Sequence, residues 1–306
     1  MRYFNIAGPC NNVSHYMVDA SSRLQGVEQL ISMGQYFVIH SARQSGKTTY
    51  LKDLNQRLNT EEKYYVLYCS LEEVQVMPEA ERGIPAILDC LIFALQKSSI
   101  PFIYDKEYEE YKKNRPLILL TMFLTEVVKS LDKPLVILFD EADCLSEGTL
   151  ISFLRQLRSG YNDRSVTPFV HSVALVGMRN IRDYKAQIRP DSESLGSSSP
   201  FNIVTKSLTL TNFTKDEIIQ LYQQHTNETG QIFNDDAIEL VWNQTQGQPW
   251  LVNAIAHEVI FEILQSDQTQ PITLELVNRA IQNIILNRPT HIDSLLERLK
   301  ETRVRR

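Results

Sequence analysis

No apolar stretch of the sequence approaches the ~20 residues that a membrane span requires, so no membrane-spanning helix is expected. The four cysteines, Cys10, Cys69, Cys90 and Cys144, form no CxxC pair, so they read as reduced structural thiols and not as a metal knuckle or redox motif. The opening MRYFNIAGPC has neither the basic start nor the long apolar core of a secretory signal, and the chain is expected in the cytoplasm. Basic charge is not in excess: the formal charge is −6, which offers no global attraction to nucleic acid or an anionic membrane. No internal repeat is visible. What remains is an ordinary globular composition, 43% hydrophobic and 22% charged, which argues against disorder. A length of 306 residues allows a large α/β domain with a smaller companion.

Strand-length apolar runs alternate with helix-length segments through the first two thirds of the chain. The runs are Tyr36–His40, Tyr64–Cys69, Leu135–Phe139, Ser172–Gly177 and a fifth around Val204–Leu210. They are nearly continuous in apolar residues, as expected of parallel strands covered on both faces. Helices are expected at Lys47–Leu58, Ile84–Gln96, Leu117–Leu131 and Leu150–Ser159, which makes a doubly wound α/β sheet. After Leu210 no strand-like run appears. Thr214 to Glu217 form a capping-box pattern, and further helices are expected at Asp235–Gln244, Trp250–Gln265 and Thr273–Asn287. The boundaries read as 1–211 for the sheet domain, 212–290 for a small all-helical subdomain and 291–306 for a basic end. The Ser-, Gly- and Pro-rich stretch Arg189–Pro200 should be a surface loop.

Between the first strand and its helix, residues 41–49 read SARQSGKTT. Gly46, Lys47 and Thr48 match the end of the phosphate-binding pattern G-x-x-x-x-G-K-[ST], while Ser41 stands where its first glycine belongs. The chemistry follows from the placement. Backbone N–H groups at a helix start converge on an anion, and the helix dipole adds to the attraction. Ser41, Ala42, Arg43, Gln44, Ser45 and Thr49 complete the loop around the phosphates, Lys47 is placed to reach the β- and γ-phosphates, and Thr48 to ligate Mg²⁺.

The segment LVILFDEAD, residues 135–143, ends a buried strand in adjacent carboxylates. Asp140 is placed for the Mg²⁺ shell beside Thr48, and Glu141 for polarising an attacking water. Asp143 reads as a carboxylate at a helix start. The strand Ser172–Gly177 runs into Met178, Arg179 and Asn180, and Arg179 is expected to sense the γ-phosphate or stabilise transition-state charge, with Asn180 as the alternative for orienting water. No NKxD base-reading motif is present, so ATP is expected and not GTP.

With these motifs in order, the sequence resembles the AAA-like, STAND-type P-loop ATPases of prokaryotes. The matching segments are YFNIAGPC, YFVIHSARQSGKTT, VILFDEAD, FLRQLRSGYNDR, HSVALVGMRNIRDY, SSSPFNI and TQGQPWLVNAIAHE. The resemblance implies an ASCE-type parallel sheet followed by a helical lid that reports nucleotide state. It also implies that adenine lies against an N-terminal segment, residues 1–30, at Gly8 and Pro9, and near Pro249 of a G-x-P pattern. Ser41 departs from the family loop. Some relatives continue into a further module, and the chain stops at KETRVRR, so either a naturally short member or one with a missing effector module is expected. The final hundred residues hold no PD…(D/E)xK constellation.

The expected function is an ATP-binding protein with slow Mg²⁺-dependent hydrolysis, acting as a nucleotide-driven switch on an unidentified protein partner or through self-association. The alternative is a DNA-acting ATPase. Its support is the basic run Arg298, Lys300, Arg303, Arg305 and Arg306, which equally reads as a solvated helix end.

Overall fold

The computed structural model describes residues 2–103, 109–110, 112, 115–177 and 200–287. By the density of their contacts, the described residues fall into two compact units. One comprises Ser21–Arg43 and Lys47–Thr211, the other Met1–Ala20, Gln44–Gly46 and Asn212–Arg306.

The first unit is built on a five-stranded parallel sheet. In chain order its elements are α1 (Val27–Ser32), β1 (Tyr36–His40), α2 (Lys47–Thr60), β2 (Tyr65–Ser70), α3 (Ala80–Lys97), α4 (Pro116–Lys129), β3 (Leu135–Asp140), α5 (Glu147–Asp163), β4 (Ser172–Gly177) and β5 (Lys206–Thr209). The strand order is β2-β3-β4-β1-β5, with every neighbouring pair parallel. Alternate strand residues face opposite sides. Val38, Leu67, Ile137, Phe139, Val173 and Leu175 share one core with the apolar residues of α3, α4 and α5. The opposite face is covered by α2, which contacts β2 and β3, and by α1, which contacts β1 and β4. Helices on both faces explain why β3 and β4 are buried along their whole length. The fifth run departs from that expectation. As an edge strand paired, among the described residues, only with β1, β5 buries Leu208 alone and leaves Lys206 and Thr209 exposed.

The second unit holds α6 (Lys215–Thr229), α7 (Asp235–Thr245), α8 (Pro249–His257) and α9 (Leu274–Asn287). The capping box at the start of α6 forms in full: the Glu217 N–H donates to Thr214 Oγ1 at 3.2 Å, and the Thr214 N–H donates to Glu217 Oε2 at 2.7 Å. A single π-helical turn, Glu258–Ile263, prolongs α8. The N-terminal residues pack into this unit. Phe4 and Tyr16 are buried in one cluster with Tyr222, Phe233 and Trp250. Apolar aromatic burial therefore decides where the first twenty residues go. Among the described residues no helix is long and apolar enough to cross a membrane.

Of the four free thiols only Cys69 is fully buried. Burial pushes the Cys90 thiol up to about 11 and the Cys144 thiol up to about 12, so both stay protonated at neutral pH.

Candidate phosphate- and magnesium-binding site

The strand order brings the candidate residues together. The loop after β1 and the carboxylates after β3 lie on either side of β4, at the carboxyl ends of the strands, where open α/β sheets bind ligands. Ser41 is anchored at the base of the loop. Its N–H donates to Gly177 O at 3.2 Å, and its buried hydroxyl donates to Leu210 O at 2.7 Å. Ser41 is absent from the residues with positive φ, so this backbone position does not call for glycine. The left-handed residues of the loop are Gln44 (φ 59°) and Gly46 (φ 91°). An ideal Cβ on Gly46 would meet nothing within 4 Å, so the glycine answers to backbone conformation and not to crowding.

Lys47 opens α2 and is buried. Its ammonium turns back on the loop, donating to Ser41 O at 3.2 Å and Ala42 O at 3.0 Å. Burial lowers its pKa, while Glu141, Asp140 and Asp143 pull it upward. Thr48 Oγ1 donates to Asp140 Oδ2 at 2.6 Å, joining the loop to the strand end ninety-two residues away. Asp140 is itself buried, and its Oδ1 accepts the Glu141 N–H at 3.0 Å. Glu141 stands in the left-handed region (φ 54°), an unusual conformation for a residue with a side chain and one that recurs at functional sites. Burial raises its pKa, and Asp140 and Asp143 raise it further. Asp143 lies in a short 3₁₀ turn, Ala142–Cys144, against the end of β4. An ideal Cβ on Gly177 would come within 2.6 Å of its Oδ1.

One side chain in this cluster carries no sequence motif. Tyr68, on β2, donates its hydroxyl to Asp140 Oδ2 at 3.0 Å. An aromatic residue near a strand end is too common to single out beforehand, and the partnership depends on strand register.

These residues fit a magnesium nucleotide. Among the described residues the buried Ser45 hydroxyl has no hydrogen-bond partner, and the start of α2 offers N–H groups that have no intrahelical acceptor. Among the described residues no cluster of three His, Cys, Asp or Glu side chains could hold a metal. Mg²⁺ does not ask for one, since it is commonly held by one or two carboxylates together with phosphate oxygens and water.

In the helical unit, Gly8 (φ 67°) and Pro9 are exposed in a turn braced by Asn5, whose Nδ2 donates to Gly8 O at 3.1 Å. Pro249 is buried at the first position of α8, and the neighbouring Trp250 Nε1 donates to Ile6 O at 2.9 Å. Gly247, at φ 71°, has a structural duty. Its carbonyl accepts the Phe213 N–H at 2.9 Å, and an ideal Cβ would lie 1.9 Å from Phe213 O. Arg179 and Asn180, all of the Arg189–Pro200 loop except Pro200, and the basic run from Arg298 to Arg306 lie outside the described residues.

Comparison with known proteins places the fold. The fold is similar to that of the Walker-type ATPase PABY2304 of Pyrococcus abyssi, with a TM-score of 0.66 at 15% identity, covering 99% of this chain and 80% of that one. It is also similar to Cdc6p from Pyrobaculum aerophilum, with a TM-score of 0.54 at 16% identity over 81% of this chain and 60% of that one. The ORC2 protein of Aeropyrum pernix, solved as ADPNP–ADP complexes, gives a TM-score of 0.52 at 13% identity over 84% of this chain and 64% of that one. This chain thus spans less than two thirds of the length of the latter two proteins. No protein with a curated description matches the sequence. The model of the AAA-like domain matches residues 7–302, so the chain belongs to the AAA-like domain family of P-loop ATPases.

Proposed function

We propose that the chain binds Mg·ATP at the loop 41–49 and hydrolyses it slowly, as a nucleotide-driven switch. The observation that carries this reading is the 2.6 Å hydrogen bond from Thr48 to the buried Asp140, which ties a phosphate loop to an acidic strand end. In this reading the loop N–H groups and Lys47 take up the β- and γ-phosphates. Lys47 exchanges its bonds to Ser41 O and Ala42 O for phosphate oxygens, so a buried ammonium keeps its hydrogen bonds throughout. Thr48 and Asp140 hold Mg²⁺, which when bound neutralises charge on the phosphate oxygens. Glu141 accepts the proton of the water that attacks the γ-phosphorus as the bond to the ADP oxygen breaks. Its raised pKa favours that role, because a base nearer neutrality takes the proton more readily. Arg179 is proposed as the γ-phosphate sensor on sequence grounds.

For the adenine we propose, from the sequence resemblance, Gly8 and Pro9 of the exposed turn together with Pro249, the Trp250–Ile6 bond holding the N-terminal segment to α8. A switch is supported by the division into two compact units, each with its own hydrophobic core. The test is ATP binding and single-turnover hydrolysis in three proteins. Wild type should bind and hydrolyse, Lys47→Ala should lose binding, and Glu141→Gln should retain ATP while losing turnover. Undiminished binding by Lys47→Ala would remove the site assignment. Running the assay with duplex DNA at low salt separates the DNA-acting alternative, which requires stimulation.

A further inference from the structure

We propose that Tyr68 is a positioning residue for Asp140, holding the magnesium carboxylate to the sheet independently of the phosphate loop. The inference rests on the Mg·ATP reading above and extends it to a residue outside the sequence motifs. Its basis is register. Tyr68 pairs with Leu138 and Ser70 with Asp140, so Tyr68 and Asp140 project from the same face of the sheet on neighbouring strands. A phenol is long enough to reach diagonally forward to the strand end, and the hydroxyl arrives 3.0 Å from Asp140 Oδ2.

The three donors to Asp140 have different origins. The Glu141 N–H, on Oδ1, belongs to the adjacent residue. Oδ2 accepts two hydroxyls, from Thr48 at 2.6 Å and Tyr68 at 3.0 Å. Thr48 belongs to the phosphate loop, and its hydroxyl is the group that must serve the cation and the carboxylate together. Tyr68 belongs to the sheet, on β2, and lies outside the loop 41–49. With the Glu141 N–H on Oδ1, it therefore holds the side-chain torsion of Asp140 before a nucleotide arrives and while one leaves, and it is the donor from outside the loop that holds Oδ2. Without it, Oδ2 depends wholly on a hydroxyl whose orientation changes with the ligand. Partners that orient a metal ligand in this way typically contribute about 10–100-fold in metal affinity or activity.

Tyr68→Phe removes one oxygen and keeps the ring. The experiment titrates MgCl₂ against ATP binding, measured calorimetrically, for wild type and Tyr68→Phe, and repeats ATP binding in EDTA. The expected result is a rise of about 10-fold in the Mg²⁺ concentration giving half of the metal-dependent gain in affinity, with metal-free ATP affinity unchanged. A merely structural role for Tyr68 would weaken both affinities together, and that result overturns the proposal. An unshifted Mg²⁺ midpoint in Tyr68→Phe, with normal Mg²⁺ dependence in wild type, also overturns it and leaves the Mg·ATP reading standing. Wild-type protein that binds no ATP with or without Mg²⁺ overturns both.

Discussion

Replacing Ser41 with glycine restores the first residue of the phosphate-loop pattern and should make the protein worse. Two losses follow from the structure. The 2.7 Å bond from Ser41 Oγ to Leu210 O disappears, and both residues are buried. A net hydrogen bond is worth about 0.5–1.5 kcal/mol, and leaving a buried acceptor unsatisfied moves the cost toward the upper end or beyond. Glycine also frees the unfolded chain, adding about 0.5–1 kcal/mol, with no return at a position whose φ is not positive. The sum is about 2 kcal/mol. For a unit of this size that corresponds to a fall in melting temperature of roughly 4–8 °C. Scanning calorimetry on wild type and Ser41→Gly reads the shift, and ATP titration of the same samples should show no gain in affinity. An unchanged or higher melting temperature, or tighter ATP binding, would refute the argument that the serine hydroxyl takes over the glycine's place.

Gly247→Ala should destabilise the helical unit by about 3 kcal/mol, from the left-handed φ and the clash with Phe213 O together. Both tryptophans, Trp242 and Trp250, belong to this unit, so a denaturant titration followed by their fluorescence measures the loss. Thr214→Ala should cost about 1 kcal/mol in the same assay by breaking the capping box of α6. His225 supplies a pH test. Burial lowers its pKa below the ordinary 6.5, so the unfolded chain takes up more protons as the pH falls through that value. The helical unit should therefore lose stability on acidification below about pH 6.5, and His225→Gln should flatten the part that His15, also lowered by burial, does not carry. A slope unchanged by His225→Gln would contradict this assignment.

Local chemistry was readable in the residues wherever one segment suffices. The candidate phosphate loop was legible because Gly46, Lys47 and Thr48 stand together between an apolar run and a helix. Thr214 and Glu217 announce a helix start because both hydrogen bonds of the box lie within four residues. The strands β1 and β4 begin and end where their apolar runs do, since burial on both faces confines polar residues to their ends, at His40 and Ser172.

Other features exist only in three dimensions. The exposure of β5 follows from its place at the edge of the sheet, and pairing order is a property of the whole sheet. The first twenty residues carry no pattern that names their destination. They pack with helices more than two hundred residues away because Phe4 and Tyr16 find an aromatic core there. Tyr68 meets Asp140 through a register that no spacing encodes. The sequence by itself determined which groups could grip a phosphate and a cation. The tertiary structure decided what holds those groups in place, because a hydrogen bond across strands depends on register and a buried ring depends on the core available to it.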